Sequence, residues 1–269
     1  MPDKRPRRKT TLIAGIDLGG TNIKSVLMTG SGLVLARNSL PTQADKGRQA
    51  VLLNIIRGWN KLVNAAAGAP VTALGLSIPG ETDDAGRIWR LPHVAGFERF
   101  PVVEHMRKAT GLRHVVAEND AACAAVAEHR LGAAGKYQNF LQVTLGTGVG
   151  GGLILNSQLF RGRDGFAAEI GHVAVANQGR PCACGSVGCV EAYVGAQGIL
   201  ESYGELGGAK TKRGMPADVA EITKRAEAGE RVASETLALT GHLLGHALAS
   251  ILNVLNLEAV VFSGGIRRA

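Results

Sequence analysis

Asp17-Leu18-Gly19-Gly20-Thr21 is the stretch whose reading decides the fold. The residues Thr11 to Asp17 read as a buried strand, so the carboxylate stands at the strand's C-terminal end. Two glycines follow, and without β-carbons they let backbone N–H groups close on phosphate oxygens. A carboxylate so placed can hold Mg2+ through water. Ile23 to Leu27 and Leu33 to Ala36 continue as strands joined by a Gly30-Ser31-Gly32 turn, giving a strand, a glycine turn and a hairpin. Alone, the motif is equally a tight turn with an incidental Asp.

Further along, Ala50 to Ala67 carries apolar residues at helical spacing, and Val71 to Ile78 is a buried strand ending at Pro79-Gly80. The first lobe is therefore α/β. Val102 to Thr110 reads as a helix and His114 to Ala117 as a short strand, and Asn119-Asp120 opens an alanine-rich helix to about Leu131. Phe140 to Leu145 and Gly151 to Leu155 are strands around Gly146-Thr147-Gly148-Val149-Gly150-Gly151-Gly152, with a turn near Asn156-Ser157. This loop satisfies Gly-x-Gly-x-x-Gly, but a dinucleotide fingerprint needs a helix next. A strand hairpin follows instead, which excludes that reading. Ala217 to Ala228 and Val232 to about Asn256 are amphipathic helices, and strand Ala259 to Phe262 runs into Gly264-Gly265.

Two strand–glycine–hairpin units, one per half, make sense if two lobes clamp a polyphosphate between their loops. This arrangement resembles the actin, hexokinase and heat-shock ATPase superfamily. The resemblance implies an α/β, two-lobed actin-like ATPase (ribonuclease H-like) fold, here with an inserted zinc-binding loop, and it implies ATP with Mg2+. The nucleotide would meet Asp17, Gly19, Gly20, Thr21 and Lys24 in one lobe and Gly146, Thr147 and Gly148 in the other, with Gly264 and Gly265 at the adenosine. The expected division is a basic disordered tail at 1–10, an N-terminal lobe at 11–117 and a C-terminal lobe at 118–269.

Phosphoryl transfer to an alcohol needs positioning, charge neutralisation and a carboxylate to take the hydroxyl proton. Asp120 suits that role, because a helix N-terminus stabilises its ionised form. The plainer alternative is that Asn119 or Asp120 only caps the helix. His172, Cys182, Cys184 and Cys189 are spaced by 10, 2 and 5 residues, and three thiolates with one imidazole make a closed tetrahedral zinc set. With no open position, the metal is structural. Cys123, on the alanine-rich helix, reads as a small core residue.

Glu169-Ile170-Gly171-His172 followed by Cys182-Ala183-Cys184-Gly185-Ser186-Val187-Gly188-Cys189-Val190-Glu191 resembles the signature of the ROK family (repressors, open reading frames and kinases). Family members are sugar kinases or sugar-responsive repressors. Carried over by position, Gly80, Asn119, Asp120, Glu169, His172 and Glu191 would contact the sugar and Asp120 would be the base. Residues 182 to 189 would form the zinc loop that fixes His172 and Glu191. The resemblance implies a hexose acceptor, glucose first, with N-acetylglucosamine, N-acetylmannosamine, mannose and fructose as alternatives, ATP or polyphosphate as donor, and a homodimer as one possible state. The repressors carry a helix-turn-helix domain of several tens of residues before the first phosphate loop; ten residues stand there in this chain. Nucleic acid is therefore disfavoured as a partner, and a sugar sensor without a DNA domain is the rival reading. The family commonly has asparagine at the place of His93 and tryptophan at that of Phe97, so recognition of one sugar hydroxyl is expected to differ. The chain stops four residues after Gly265, short of the family's usual length. On that reading the adenosine side is only partly built, sugar binds more securely than ATP, and the last strand and helix expose apolar surface.

Composition fits a globular protein: 269 residues, 45% hydrophobic, 37 glycines. The net charge is +8, and Lys4, Arg5, Arg7, Arg8 and Lys9 against Asp3 put +4 of it in the first nine residues. Such a run reads as a solvated tail. No apolar h-region follows it, which argues against a secretory signal. The longest apolar stretch, Leu243 to Leu255, falls short of the roughly 20 residues of a membrane span. A cytoplasmic location without membrane association is expected, and reduced thiols there favour metal over disulfides.

Overall fold

The computed structural model describes residues 11–91, 94–208 and 215–268. The basic tail at 1–10 and His93 lie outside the described residues. The chain divides into two compact units, residues 1–123 with 162–166 and residues 124–161 with 167–269.

Unit 1 is built on a five-stranded sheet. β1 (Leu12–Leu18), β2 (Asn22–Thr29) and β3 (Val34–Pro41) form an antiparallel meander. After α1 (Gly47–Ala65), β4 (Val71–Ile78) pairs parallel to β1. A short ribbon, β5 (Glu81–Thr82) with β6 (Ile88–Arg90), leads to α2 (Val102–Thr110). β7 (His114–Asn119) then pairs parallel to β4, giving the order β3-β2-β1-β4-β7. Strict alternation in β1 buries Leu12, Ala14, Ile16 and Leu18. These meet Val51, Leu52, Ile55, Trp59 and Leu62, the helical-period face of α1, in one continuous core. α3 (Asp120–Leu131) begins in unit 1 and continues into unit 2.

Unit 2 repeats the opening with a four-stranded sheet. β8 (Phe140–Leu145) and β9 (Val149–Leu155) form an antiparallel hairpin. The turn at Asn156 and Ser157, both at positive φ, leads to β10 (Gln158–Leu159). β9 starts two residues earlier than its glycines suggest, because Gly150, Gly151 and Gly152 pair in register with Thr144, Val143 and Gln142. α4 (Glu191–Val194), α5 (Ala196–Glu205), α6 (Val219–Glu227) and α7 (Arg231–Leu255) precede β11 (Ala259–Ser263), which lies parallel to β8 in the order β10-β9-β8-β11.

α7 matches the helix expected from Val232 to about Asn256 and contains the 13-residue apolar stretch. The helix runs unbroken for 25 residues through Thr240, Gly241 and His242, and its mean hydropathy of 1.4 makes it, among the described residues, the one helix long and apolar enough to cross a membrane. The core helices of water-soluble proteins meet the same condition, so a single such helix is weak evidence for a span. Its buried residues are Ala233, Thr236, Ala247 and Leu248, while Val254 and, on β11, Phe262 stand exposed.

Candidate functional site

In unit 1 the turn between β1 and β2 is held from within. The Gly19 N–H donates to the Asn22 carbonyl at 3.1 Å, Thr42 Oγ1 donates to the Gly19 carbonyl at 2.6 Å, and the Thr42 N–H donates to the Thr21 carbonyl at 2.8 Å. Gly20 and Thr21 stand exposed at the tip. Asp17 sits at the end of β1, where Ser77 Oγ on β4 donates to its Oδ1 at 2.8 Å, and Lys24 lies directly across from it on β2.

Asn119 ends β7 and caps α3: its Oδ1 accepts from the Ala121 N–H at 2.9 Å and the Ala122 N–H at 3.1 Å, while its Nδ2 donates to the Gly80 carbonyl at 3.2 Å. Gly80, Asn119 and Asp120 are thereby brought together. Asp120 also accepts from the Ala121 N–H at 2.8 Å, but the cap does not depend on it. Solvent reaches its side chain, yet the surrounding protein removes enough water to push its pKa up. The Asp17 charge adds to that rise, and the Ala121 N–H opposes it. Cys123 is pushed up to about 12 by burial and by the charges of Glu118, Asp120 and Asp17, so it is an unreactive thiol.

In unit 2 the second loop, Gly146 to Gly148, closes with the Gly146 N–H donating to the Gly148 carbonyl at 3.0 Å. Glu191, the first residue of α4, lays Oε2 on the Val149 N–H at 2.9 Å, close enough to Gly148 that a β-carbon there would overlap it. The first N–H of α5, that of Ala196, donates to the Gly146 carbonyl at 3.0 Å, so a helix end does meet this loop, from 50 residues further along the chain. Gly264 adopts φ 92° after β11, and a β-carbon there would overlap the Leu145 carbonyl. The end of β8, the second loop and the Gly264-Gly265 turn are thus packed side by side.

His172, Cys182, Cys184 and Cys189 converge, with their donor atoms all within 4.8 Å of one another. Cys182 Sγ lies 3.6 Å from His172 Nδ1 and Cys184 Sγ lies 3.7 Å from Cys189 Sγ. A tetrahedral ion with Zn–S of about 2.3 Å would set its ligands about 3.7 Å apart, which is the separation of these two pairs, so the donor set is one that suits zinc. The Ser186 N–H favours the Cys184 thiolate, whereas burial and then the neighbouring thiols push Cys189 up to about 12. The loop is folded by the Cys182 N–H donating to Ser186 O at 2.9 Å and by bridges pairing Pro181 with Val187 and Ala174 with Cys189.

Glu191, whose carboxylate meets the second loop, follows Cys189 of this cluster by two residues. Glu169 stands at the N-cap position of the short turn Ile170–His172 without a side-chain cap bond, and Gly171 of that turn packs against the Val149 carbonyl.

A family model, that of the ROK family, matches residues 13–269. The chain belongs to the ROK family. It is 32% identical to the glucokinase of Halalkalibacterium halodurans, over 95% of this chain and 80% of that one. It is also 32% identical to the N-acetylmannosamine kinase of Shigella boydii, over 96% and 83%. It resembles the crystal structure of a ROK family glucokinase from Streptomyces griseus in complex with glucose and AMPPNP, with TM-score 0.77 and 29% identity over 95% and 83% of the two chains. The fold of this ROK chain is accordingly the α/β actin-like ATPase fold.

Sequence reasoning missed three supports of the ROK site. Arg180 reaches from the zinc loop to the carbonyls of Ala192 and Gly198 at 3.1 and 2.7 Å and to Ser202 Oγ at 2.9 Å, and it lies over the Tyr193 ring at 4.6 Å. One arginine amid small residues gives no periodic signal. Thr42, at 1% exposure, lies two strands and 23 residues along the chain from Gly19, whose carbonyl it holds. α5 was unread because Gly195, Gly198 and Gly204 interrupt its apolar spacing.

Proposed function

We propose that this chain transfers the terminal phosphoryl group of ATP to a hexose hydroxyl, with glucose as the first acceptor. Sugar kinase activity as such follows from the family and its named relatives. The single observation that carries the residue-level reading is the division of labour at the start of α3, where Asn119 does the capping and Asp120 is left for chemistry.

Asp120, its pKa raised by desolvation and by Asp17, accepts the hydroxyl proton as the acceptor oxygen attacks. By the resemblance to the family, Gly80, Asn119, Glu169, His172 and Glu191 are the residues we assign to the sugar. His172 turns Nδ1 to the thiols, which leaves Nε2 to donate to a hydroxyl. Backbone N–H groups at Gly19 to Thr21 and Gly146 to Gly148 take the phosphates, Lys24 adds a positive charge, Gly264 and Gly265 take the adenosine, and Asp17 holds the Mg2+ that accompanies ATP. His172, Cys182, Cys184 and Cys189 would hold a zinc ion, which would supply no chemistry to the reacting atoms; held together, these four residues would fix the loop that ends at Glu191.

The test is ADP release over a panel of hexoses and hexosamines, with ATP and with polyphosphate as donors. Glucose with ATP is expected to give the highest kcat/KM. A preference for N-acetylmannosamine would move the acceptor assignment to the other named class of relatives, and turnover of no sugar would overturn the proposal.

A further inference from the structure

A recess of about 450 Å³ in unit 1 is not part of the site above. It is lined by Trp89 and Phe166 together with Asp83, Asp84, Arg87, Arg163 and Asp164, and it lies in the size range of small-ligand clefts, ~300–1,000 Å³. We propose that this recess is a saccharide-binding subsite.

Its chemistry selects the ligand class. Two aromatic rings, with centroids 6.0 Å apart and tilted at 53°, offer apolar surface to one face of a ligand. The charged groups nearly cancel and are paired within the recess: Arg87 Nε donates to Asp83 Oδ2 at 2.7 Å and Arg163 Nε lies 3.6 Å from Asp164 Oδ1. An anion would meet the aspartates and a cation the arginines. What suits alternating donors and acceptors at the edge of an aromatic surface is a neutral ligand with an apolar face and adjacent hydroxyls, which describes a pyranose.

The recess is also held at a cost. Trp89 is 37% exposed, and its indole is fixed by the Arg99 guanidinium 4.5 Å from the ring centroid. Arg99 reaches that position from φ 53°, a left-handed conformation that a non-glycine residue adopts at a cost of about 1–2 kcal/mol. The Asp83 carboxylate is kept ionised although burial opposes it, because the Arg87 N–H and guanidinium and the Ala85 N–H all donate to it.

Position links the recess to the acceptor site. Trp89 is the neighbour in sequence of Arg90, whose carbonyl packs so closely on Gly80 that a β-carbon there would overlap it. Adjacent Cα atoms are 3.8 Å apart, so the recess begins within about 10 Å of Gly80. The choice of saccharide rests partly on the sugar-kinase reading, and the ligand has two sources: the second ring of a glycoside acceptor, or a separate sugar.

The chain has two tryptophans, and Trp59 is buried in the core, so emission changes report on Trp89. We expect maltose, cellobiose or trehalose to change the emission saturably without ATP. Trp89→Phe should abolish the change, and Phe166→Ala should raise the dissociation constant about tenfold by removing one aromatic contact. If the ligand is the second ring of the acceptor, the disaccharide is phosphorylated, and its KM rises in Phe166→Ala while that of glucose does not. If it is a separate sugar, the disaccharide is not phosphorylated but alters glucose turnover, and Phe166→Ala removes that effect. The proposal is overturned if no sugar changes Trp89 emission, or if Phe166→Ala and Arg163→Ala both leave every sugar's affinity unchanged. A chain that phosphorylates glucose yet gives that result keeps the kinase reading and loses the subsite. One that phosphorylates nothing but binds saccharide at Trp89 does the reverse.

Discussion

The two glycine loops sit on the same strand pattern, an antiparallel hairpin followed by a parallel neighbour, yet they are supported in opposite ways. The first is held by Asn22 in its own turn, by Thr42 just past β3, and at the end of β1 by Ser77 on the neighbouring β4. The second is held by Glu191, Ala196 and Gly264, which stand some 40 to 120 residues along the chain. The difference shows that a hairpin supplies the position of a phosphate loop but not its rigidity. Unit 1 draws its supports from its own sheet and the segment after β3, whereas unit 2 adds to its sheet the Glu191 carboxylate and the Ala196 N–H from the short helices that follow the cysteine cluster.

The comparison breaks most sharply if chemistry and support are separated. Asp120→Asn keeps the shape and leaves the Asn119 cap in place, so kcat is expected to fall by at least about 10³ with little change in sugar affinity. A raised carboxyl pKa means the folded state binds this proton more tightly. Its stabilising contribution is complete below the unfolded pKa and is lost as pH rises through the folded one. The amide is therefore expected to leave thermal stability at pH 7 equal or higher, and the wild-type rate to fall on the acid side with a midpoint above the ordinary aspartate range. A pH–rate profile beside a melt of the variant checks both; turnover within tenfold of wild type would remove Asp120 as the base.

Cys184→Ser tests the support added in unit 2. One zinc per chain is expected by metal analysis of the wild type and none in the variant, with a lower melting temperature and weaker sugar binding, since the loop leading to Glu191 is no longer held. The unit 1 core, which shares no residue with this cluster, should keep its protection in hydrogen exchange. A folded, active, zinc-free protein would sink the claim.

Glycine substitutions sharpen the contrast at smaller scale. Gly264→Ala meets both a left-handed φ and the Leu145 backbone carbonyl, so a loss of about 3 kcal/mol or more is expected in denaturant unfolding. Gly20→Ala meets nothing within 4 Å and should be close to neutral in stability, while weakening ATP affinity where backbone must approach phosphate. Equal stability losses at the two positions would mean the loops are supported alike.

Much of this was legible in the sequence where local pattern and local chemistry coincide. β1's alternation, the α1 stripe and the Asn156-Ser157 turn are each decided by residues within a few positions of one another. The three spacings among His172, Cys182, Cys184 and Cys189 also survive into geometry because the four residues are close in the chain. Long-range supports were not legible: nothing near Glu191 says that its Oε2 meets Val149, 42 residues back. The β5–β6 ribbon was missed for another reason, since two- and three-residue strands carry no period to read.

The smallest effect concerns Ala168, which precedes Glu169 and adopts φ 68°. Its carbonyl packs against Gly151 of β9, so the chain is forced into this conformation to deliver Glu169 and the turn to His172. A non-glycine residue there costs about 1–2 kcal/mol, and glycine would recover that less the roughly 0.4–1 kcal/mol of freedom it gains in the unfolded chain. Ala168→Gly is therefore expected to stabilise the protein by about 0.5–1 kcal/mol, read as a higher denaturant midpoint at unchanged m-value. The sugar KM should stay the same if Glu169 is positioned by the packing of Ala168 and Gly171 onto β9, and should rise if the alanine's own restriction holds the carboxylate in place. A destabilised Ala168→Gly variant would show that the left-handed backbone is not strained and that unit 2's supports end at Glu191.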